Sequence, residues 1–490
     1  MKIFAWILVI GVLLTACSDF LEEYSQDRFH PSSANDLNEL LIGDGYWRSF
    51  QLSGLDGMTD DAREFTFQTL AEIPVEARFF TWEEFLYEET DIVWDGVYRS
   101  IGVANAVLAK VEDFSNEDLY AKVKGEAHFI RAAGYFFLAN LYAQPYSKET
   151  AHETLGVPLK LTNYVEGKYW NRSRLDSVYN QVISDLKSAA YWLKGIEQPS
   201  YYRANETAAH ALLSRVYLYM EEYEKAIVEC DSALMGRYLL YNMAGGSSTD
   251  SCFKYLANSE IIFSQGGYTS TMYKQGTSDS ELAPQINHFG ASKELVRLYD
   301  ENPDDRRKEI FLKYLWMDDS YSPYKIACDD PRPTSDFGAI RLSEVVLNKA
   351  EAQAMLGMES QAVSTLNNLL RVRYTEMPVI SETGKELVNR LRDERRRELC
   401  FEGHRWFDLR RYAVNQKYPF EKELIHVKHE VINDRPVPME VYKLSPYSVD
   451  NRKWCLPIPT NETEFSEFMV PNERYESVAE EYDVKYESYD

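Results

Sequence analysis

No apolar run in this 490-residue chain is long enough to cross a membrane as a helix. The longest, Ile3 to Leu14, has twelve positions, against the ~20 that a ~30 Å hydrocarbon core requires. Cysteine is scarce, with six residues at 17, 230, 252, 328, 400 and 455, and no two form a CxxC. That spacing argues against a disulfide framework and against a zinc site. Cys230 and Cys400 fall in helical patterns and read as small core hydrophobes. Positive charge is in deficit: 53 Lys and Arg stand against 78 Asp and Glu, a formal net charge of −25. Such a field repels phosphates, so nucleic acid is not expected as a partner. The chain has no G-x-S-x-G, no G-x4-G-K-[ST] and no G-x-G-x2-G, so no nucleophile elbow or nucleotide cradle is expected, and no cofactor.

What the N-terminus does contain is a leader pattern. Lys2 supplies a positive start, the apolar segment follows, and Leu14-Thr15-Ala16-Cys17 closes it. A charged start, a short apolar core and small residues before a cut describe a signal peptide over 1–16. The cysteine at its end resembles a bacterial lipobox, in which Cys17 becomes lipidated and residues 17–490 form the tethered mature protein. Several acyl chains anchor stably without a transmembrane helix.

The strongest periodic signal is helical. From Ala208, Leu213, Val216, Tyr217 and Met220 share one face. After Glu221–Glu222, Tyr223, Ala226, Ile227, Cys230, Ala233 and Leu234 recur at i, i+3, i+4. This resembles one tetratricopeptide repeat, a helical hairpin of two close-packed helices. A second hairpin is predicted over 340–371, turned at Gly357. A third is split between 124–142 and 175–193, and a further helix is predicted over 91–111 with Trp94, Val97, Tyr98, Ile101 and Leu108 inward. Such hairpins must stack to bury their faces. Irregular segments at 43–80, 241–290 and 312–339 interrupt them, and long connections of this kind are usually functional surfaces. From Pro419 onward helical periodicity fades into what reads as an irregular tail. The fold class expected is mainly all-α, with a helical-hairpin scaffold and a loop-rich ligand-binding part.

Several motifs point to one family. Trp94 and Tyr98 with Asn105, the run GEAHFIRAAGYFFLANLYAQPY through Glu126, Arg131 and Tyr135, and LPIP at Leu456–Pro459 each match a block of it. The most specific match is RDERRRELCFEGHRWFDLRR over 392–411. The whole chain resembles the SusD/RagB family of surface lipoproteins. The tail departs from the pattern, since 470–475 lacks the glycine of the family's usual ending and an acidic-rich stretch follows. The resemblance implies four tetratricopeptide-like hairpins carrying a looped ligand-binding part, in regions 17–240 and 241–490. It implies a non-enzymatic, surface-exposed outer-membrane protein that binds an oligosaccharide, or a peptide as in one branch. The ligand would pass to a TonB-dependent, SusC-like transporter. The alternative from another class is a hydrolase on a helical scaffold.

Residues 392–411 hold seven arginines, one histidine and five carboxylates. A helix over 386–401 is predicted, with Gly403 after its end and a second helix over 406–412. Arg395, Glu398 and Glu402 fall on one face, so an Arg395–Glu398 pair is expected. Each acid has an arginine within reach, which would depress its pKa and spoil it as a general acid. Arg395, Glu398, Glu402, Gly403, Arg405, Trp406 and Asp408 are therefore read as scaffold. The aromatics of the irregular segments are not explained by helix packing. Sugars present apolar C–H faces ringed by hydroxyls, which suits flat rings beside polar side chains. Trp82, Tyr268, Tyr273, Trp316, Tyr321 and Tyr324 are the ring candidates, with Asp60, Asp61, Arg63 and Asp318 as polar neighbours. The acidic stretch Asp56–Asp61 is expected as a solvated turn. His426 and His429 have the spacing of a metal pair but lack further ligands, and no metal is expected.

Overall fold

The computed structural model describes residues 30–46, 54–64, 75–86, 92–245, 259–265, 289–315, 320–325, 338–433 and 435–489. Cys17, the leader, Tyr268, Tyr273, Trp316 and Asp318 lie outside the described residues.

The helical scaffold consists of α1 (Ala34–Leu40), α2 (Ile92–Lys110), α3 (Tyr120–Tyr142), α4 (Leu175–Trp192), α5 (Glu206–Tyr219), α6 (Tyr223–Leu234), α7 (Leu342–Met355), α8 (Glu359–Leu370), α9 (Gly384–Leu399) and α10 (Arg405–Ala413). From α2 to α6 each helix packs on the next in sequence, and α7 continues the stack against α6 before pairing with α8 and α9. The predicted helices therefore form within a residue or a few of their expected ends. Both contiguous hairpins turn on a left-handed residue: Glu221 has φ +57° and Gly357 φ +77°. Alanines 226, 233, 350, 354 and 362 are buried where the helices meet, and small side chains there let the backbones approach.

Glycine performs the same task between α3 and α4. A Cβ on Gly125 would stand 2.6 Å from Leu193 Cγ. Gly125→Ala is expected to cost about 1–3 kcal/mol by overpacking, read as a lower midpoint in chemical unfolding.

One large core runs through the hairpins, from Leu37 and Trp94 to Leu391, Trp406 and Trp454. A second, smaller core lies under the irregular segments. It joins Ala62, Phe80, Ile261, Phe289, Leu295, Tyr299, Phe311 and Leu312 to Cys400 and Phe401 at the end of α9. Short antiparallel ladders frame it: β1 (Ala62–Glu64) with β3 (Phe289–Ala291), β2 (Ile261–Phe263) with β6 (Ile340–Arg341), and β4 (Leu312–Leu315) with β5 (Ser320–Pro323).

The tail differs from expectation. β7 (Leu424–Ile432), β8 (Arg435–Leu444) and β9 (Glu480–Glu481) form a three-stranded antiparallel sheet. Val427 and Val441 turn inward on it, while Pro436 and Pro438 obscure the alternation in sequence. Its register breaks at Lys428/His429, a bulge that frees the His429 amide to donate to Glu64 of β1 at 2.7 Å. Beyond the sheet, Arg474 donates to the Cys455 carbonyl at 2.7 Å and Asn472 to that of Leu456 at 2.6 Å. The departing ending is thus docked on the LPIP block.

Candidate ligand-binding surface

The segment 392–411 lies inside the protein. Glu398 is fully buried, and its carboxylate accepts from Arg341 at 2.5 Å, from Arg373 at 2.9 Å and from Arg307 at 3.1 Å. Arg395 does not pair with it. The Arg395 guanidinium instead reaches Asp408 of α10 at 2.8 Å and Asn348 of α7 at 2.7 Å. Glu402 takes a bidentate pair from Arg341, both bonds 2.8 Å. Gly403 sits at φ +73° between α9 and α10, and Phe401 shares that left-handed region at φ +58°. Trp406 stacks on Trp454, with ring centroids 5.1 Å apart and planes 10° apart. The scaffold geometry is therefore fixed by ion pairs between helices and strands distant in sequence.

These pairs set the protonation states. Burial would raise the Glu398 carboxyl, but Arg373 and Arg341 hold it well below the usual range. Against the same burial, Arg397 and Arg307 bring Glu394 down to about 2. An acid held ionised in this way cannot donate a proton near neutral pH.

The stretch Asp56–Asp61 is part of this interior, not a solvated turn. Asp60 takes two 2.8 Å bonds from Arg405 and one of 2.7 Å from Lys422. Asp61 accepts from Arg396 at 2.6 Å. Arg396 bridges on to Glu294 at 2.6 Å. Both aspartates are buried and held by arginines, so their geometry serves the join between the loop layer and the scaffold. Trp82 is buried as well, at 1% exposure. It adopts φ +50°, donates its indole N–H to the Met58 carbonyl at 3.1 Å, and stacks on His426 at 4.2 Å. The other face of His426 meets Phe80 at 4.1 Å. Both ring nitrogens of His426 lie 2.6 and 2.9 Å from the carbonyls of Phe80 and Thr59, which leaves neither for a metal. Among the described residues no cluster of three His, Cys, Asp or Glu could hold a metal ion.

Three candidates remain at the surface: Arg63, Tyr321 and Tyr324 are half-buried. Arg63 is on β1, opposite Gly290 of β3, and β3 packs against β5, which carries Tyr321. On the β4–β5 ladder Tyr321 sits directly opposite Tyr314. Their rings are 5.3 Å apart and tilted by 57°. Lys308 Nζ stands 4.5 Å over the Tyr321 ring and Lys313 Nζ 5.6 Å over that of Tyr324. Tyr314 is half exposed, at 50%, and was not among the candidates. The signal that could have found it is the hairpin pattern of LKYL and SYSP about a short Asp-Asp stretch, which makes the two tyrosines a cross-strand pair.

A partly open cavity of about 70 Å³ lies within the scaffold, lined by Phe129, Phe136, Tyr219, Phe263, Phe407 and His404 among others. It has room for a few waters and is too small for a sugar chain. Among the described residues no helix is long and apolar enough to cross a membrane.

Two family models match. The SusD family model covers residues 298–475, and a second, described as starch-binding associating with outer membrane, covers 56–218. A SusD-like protein of Formosa agariphila is 21% identical over 73% of this chain and 78% of its own length. A putative sugar binding protein from Bacteroides vulgatus superposes with a TM-score of 0.71 at 23% identity, covering 91% of this chain and 100% of that one. A SusD superfamily protein from Bacteroides thetaiotaomicron gives 0.68 at 23% identity, over 90% and 98%. The helical stack, the buried arginine–carboxylate segment and these matches agree: the chain belongs to the SusD/RagB family.

Proposed function

We propose that the protein is a non-enzymatic glycan-binding lipoprotein of the outer membrane. It captures oligosaccharide at the cell surface and passes it to a TonB-dependent, SusC-like transporter. The observation that carries this reading is the Tyr314–Tyr321 pair, one ring half exposed and one half-buried on a hairpin beside the ionic scaffold, with Arg63 on a nearby strand. Trp316 and Asp318 fall in the sequence between the two strands of that hairpin. Flat rings beside fixed polar groups suit the C–H faces and hydroxyl rim of a pyranose. A SusD-like protein described as laminarin binding has a similar fold, at 19% identity and a TM-score of 0.66, which supports a glycan as the ligand class. The hydrolase reading lacks a basis among the described residues, because the buried acids of the signature are each held by arginine.

Calorimetry against oligosaccharide and peptide panels tests the proposal. A hexasaccharide is expected to bind, and Tyr314→Ala with Tyr321→Ala is expected to weaken it at least tenfold, about 1.4 kcal/mol; Tyr314→Ala alone, at the half-exposed ring, is expected to weaken it several-fold with the unfolding midpoint nearly unchanged. Binding of peptides alone, or turnover of the sugar, would overturn it. Anchoring is read on Cys17: mass spectrometry of the native protein is expected to find a lipidated N-terminal cysteine, with residues 1–16 removed. An unmodified Cys17 defeats that part.

A further inference from the structure

A second recess lies away from the hairpin. Between α4 and α5 the chain runs Gly195-Ile-Glu-Gln-Pro-Ser-Tyr201, and with Arg237 and Tyr238 after α6 it encloses a groove of about 380 Å³. That is within the ~300–1,000 Å³ of small-ligand sites. The groove adjoins β2, since Asn205 donates to the Ile262 carbonyl at 2.9 Å and the Ser264 amide donates to the Tyr201 carbonyl at 2.9 Å. It therefore sits where the scaffold meets the loop layer.

Its frame is already made. Gln198 is buried and donates to Glu126 at 3.0 Å and to the Ala204 carbonyl at 2.6 Å. Asn205 caps α5 through Ala208 at 2.9 Å and donates to the Tyr238 hydroxyl at 3.3 Å. The Gly195 amide, at φ +70°, donates to Glu206 at 3.0 Å. Walls held by such bonds need little ordering when a ligand arrives.

The lining selects the ligand. Tyr201 and Tyr238 are half-buried and supply ring surface, while Glu197 and Arg237 are exposed at the rim. An apolar compound would strip water from Glu206, Thr207 and Ser200 without replacing it. An anion would meet Glu197 and Glu206 against Arg237 alone, and two carboxylates are too few for a metal. A neutral polyhydroxylated ring satisfies both kinds of surface.

We infer that this groove is a second saccharide subsite, taking a neutral pyranose unit of one to two sugars. The inference rests on the glycan reading above. A second subsite on one protein raises the retention of a polysaccharide through effective concentration, with no tighter contact at either site.

Calorimetry on the mature protein with laminaritriose, maltotriose, cellotriose and xylotriose, and affinity electrophoresis in gels of the parent polysaccharides, test it. One trisaccharide is expected to bind wild type at two sites. Arg237→Ala with Tyr238→Ala is expected to leave one, and to weaken retention by the polysaccharide at least tenfold. Because the tyrosine hydroxyl meets Asn205, the exposed Arg237→Ala alone serves as the variant that preserves the fold, and several-fold weakening at one of the two sites is expected. Tyr314→Ala with Tyr321→Ala is expected to spare the groove site. A single site, lost in the hairpin variant and untouched by the groove variants, overturns the groove and leaves the glycan reading standing. No binding of any sugar by wild type overturns both.

Discussion

Glu398→Ala is expected to lower stability by about 3–5 kcal/mol, the cost of removing one partner from a buried, hydrogen-bonded charge cluster. Three guanidiniums, of Arg307, Arg341 and Arg373, converge on this one carboxylate. Its loss leaves them in a site with no exposed side-chain surface. Glu260, Asp305 and Glu394 share those arginines and soften the loss, which keeps the expectation at the usual range for one pair. In a chain of this size that energy lowers the melting temperature by several degrees. Glu398→Gln keeps the shape and part of the hydrogen bonding and is expected to fall between. Saccharide affinity of the folded variant should match wild type, because Glu398 is buried below the loop layer. A melting temperature unchanged in Glu398→Ala, with binding abolished, would move the ligand site to the 392–411 segment.

The helices were legible because their signal is local. Spacing at i, i+3, i+4 and small residues at the crossings can be read within twenty positions, so both hairpins and the split pair α3–α4 were found close to their true ends. The scaffold reading of 392–411 had a related basis, since every acid there has a base close in sequence. The actual partners were not. Arg395 bonds Asp408 across the turn, and Glu398 is held by Arg307, Arg341 and Arg373 from other segments. Such pairings are tertiary, and helical spacing alone does not encode them. The same limit misplaced Asp60 and Asp61. Read alone, two aspartates after a glycine and a threonine look like a solvated turn. The guanidiniums that bury them, of Arg396 and Arg405, stand more than three hundred positions away.

Trp82 was assigned to a ligand surface because helix packing did not explain it. Its socket is built by a sheet that the proline-interrupted tail concealed. Once β7 sets His426 between Phe80 and Trp82, the ring has a structural reason. Tyr321 and Tyr324 were identified by the same argument and remain half-buried at the loop layer. The distinction came from long-range register, which composition does not carry.

The second large effect is on acidification. Glu394, brought down to about 2 from an ordinary 4.5 by Arg397 and Arg307 against its burial, binds protons less readily folded than unfolded. Its contribution is complete above pH ~4.5 and is lost as pH falls toward 2. At ~1.36 kcal/mol per unit this one group contributes about 3 kcal/mol. Glu398 and Asp60, held below the usual range by their arginines, act with the same sign. So does His404. Burial first, and then Arg215, Arg395 and Arg341, push it well below its ordinary 6.5. It therefore favours the fold above pH 6.5 and opposes it once the unfolded chain can take the proton. Asp61, raised by burial, works the other way and is outnumbered. Stability is thus expected to decline below pH ~6.5 and to fall steeply between about 4.5 and 2. Urea unfolding followed by tryptophan fluorescence at pH 7, 5, 4 and 3 would record it as a falling midpoint. Glu394→Gln should be less stable at pH 7 and show a shallower decline below 4.5, since the group that titrates there is gone. A midpoint constant from pH 7 to 3 would mean that these carboxylates are not held by their arginines in the folded protein.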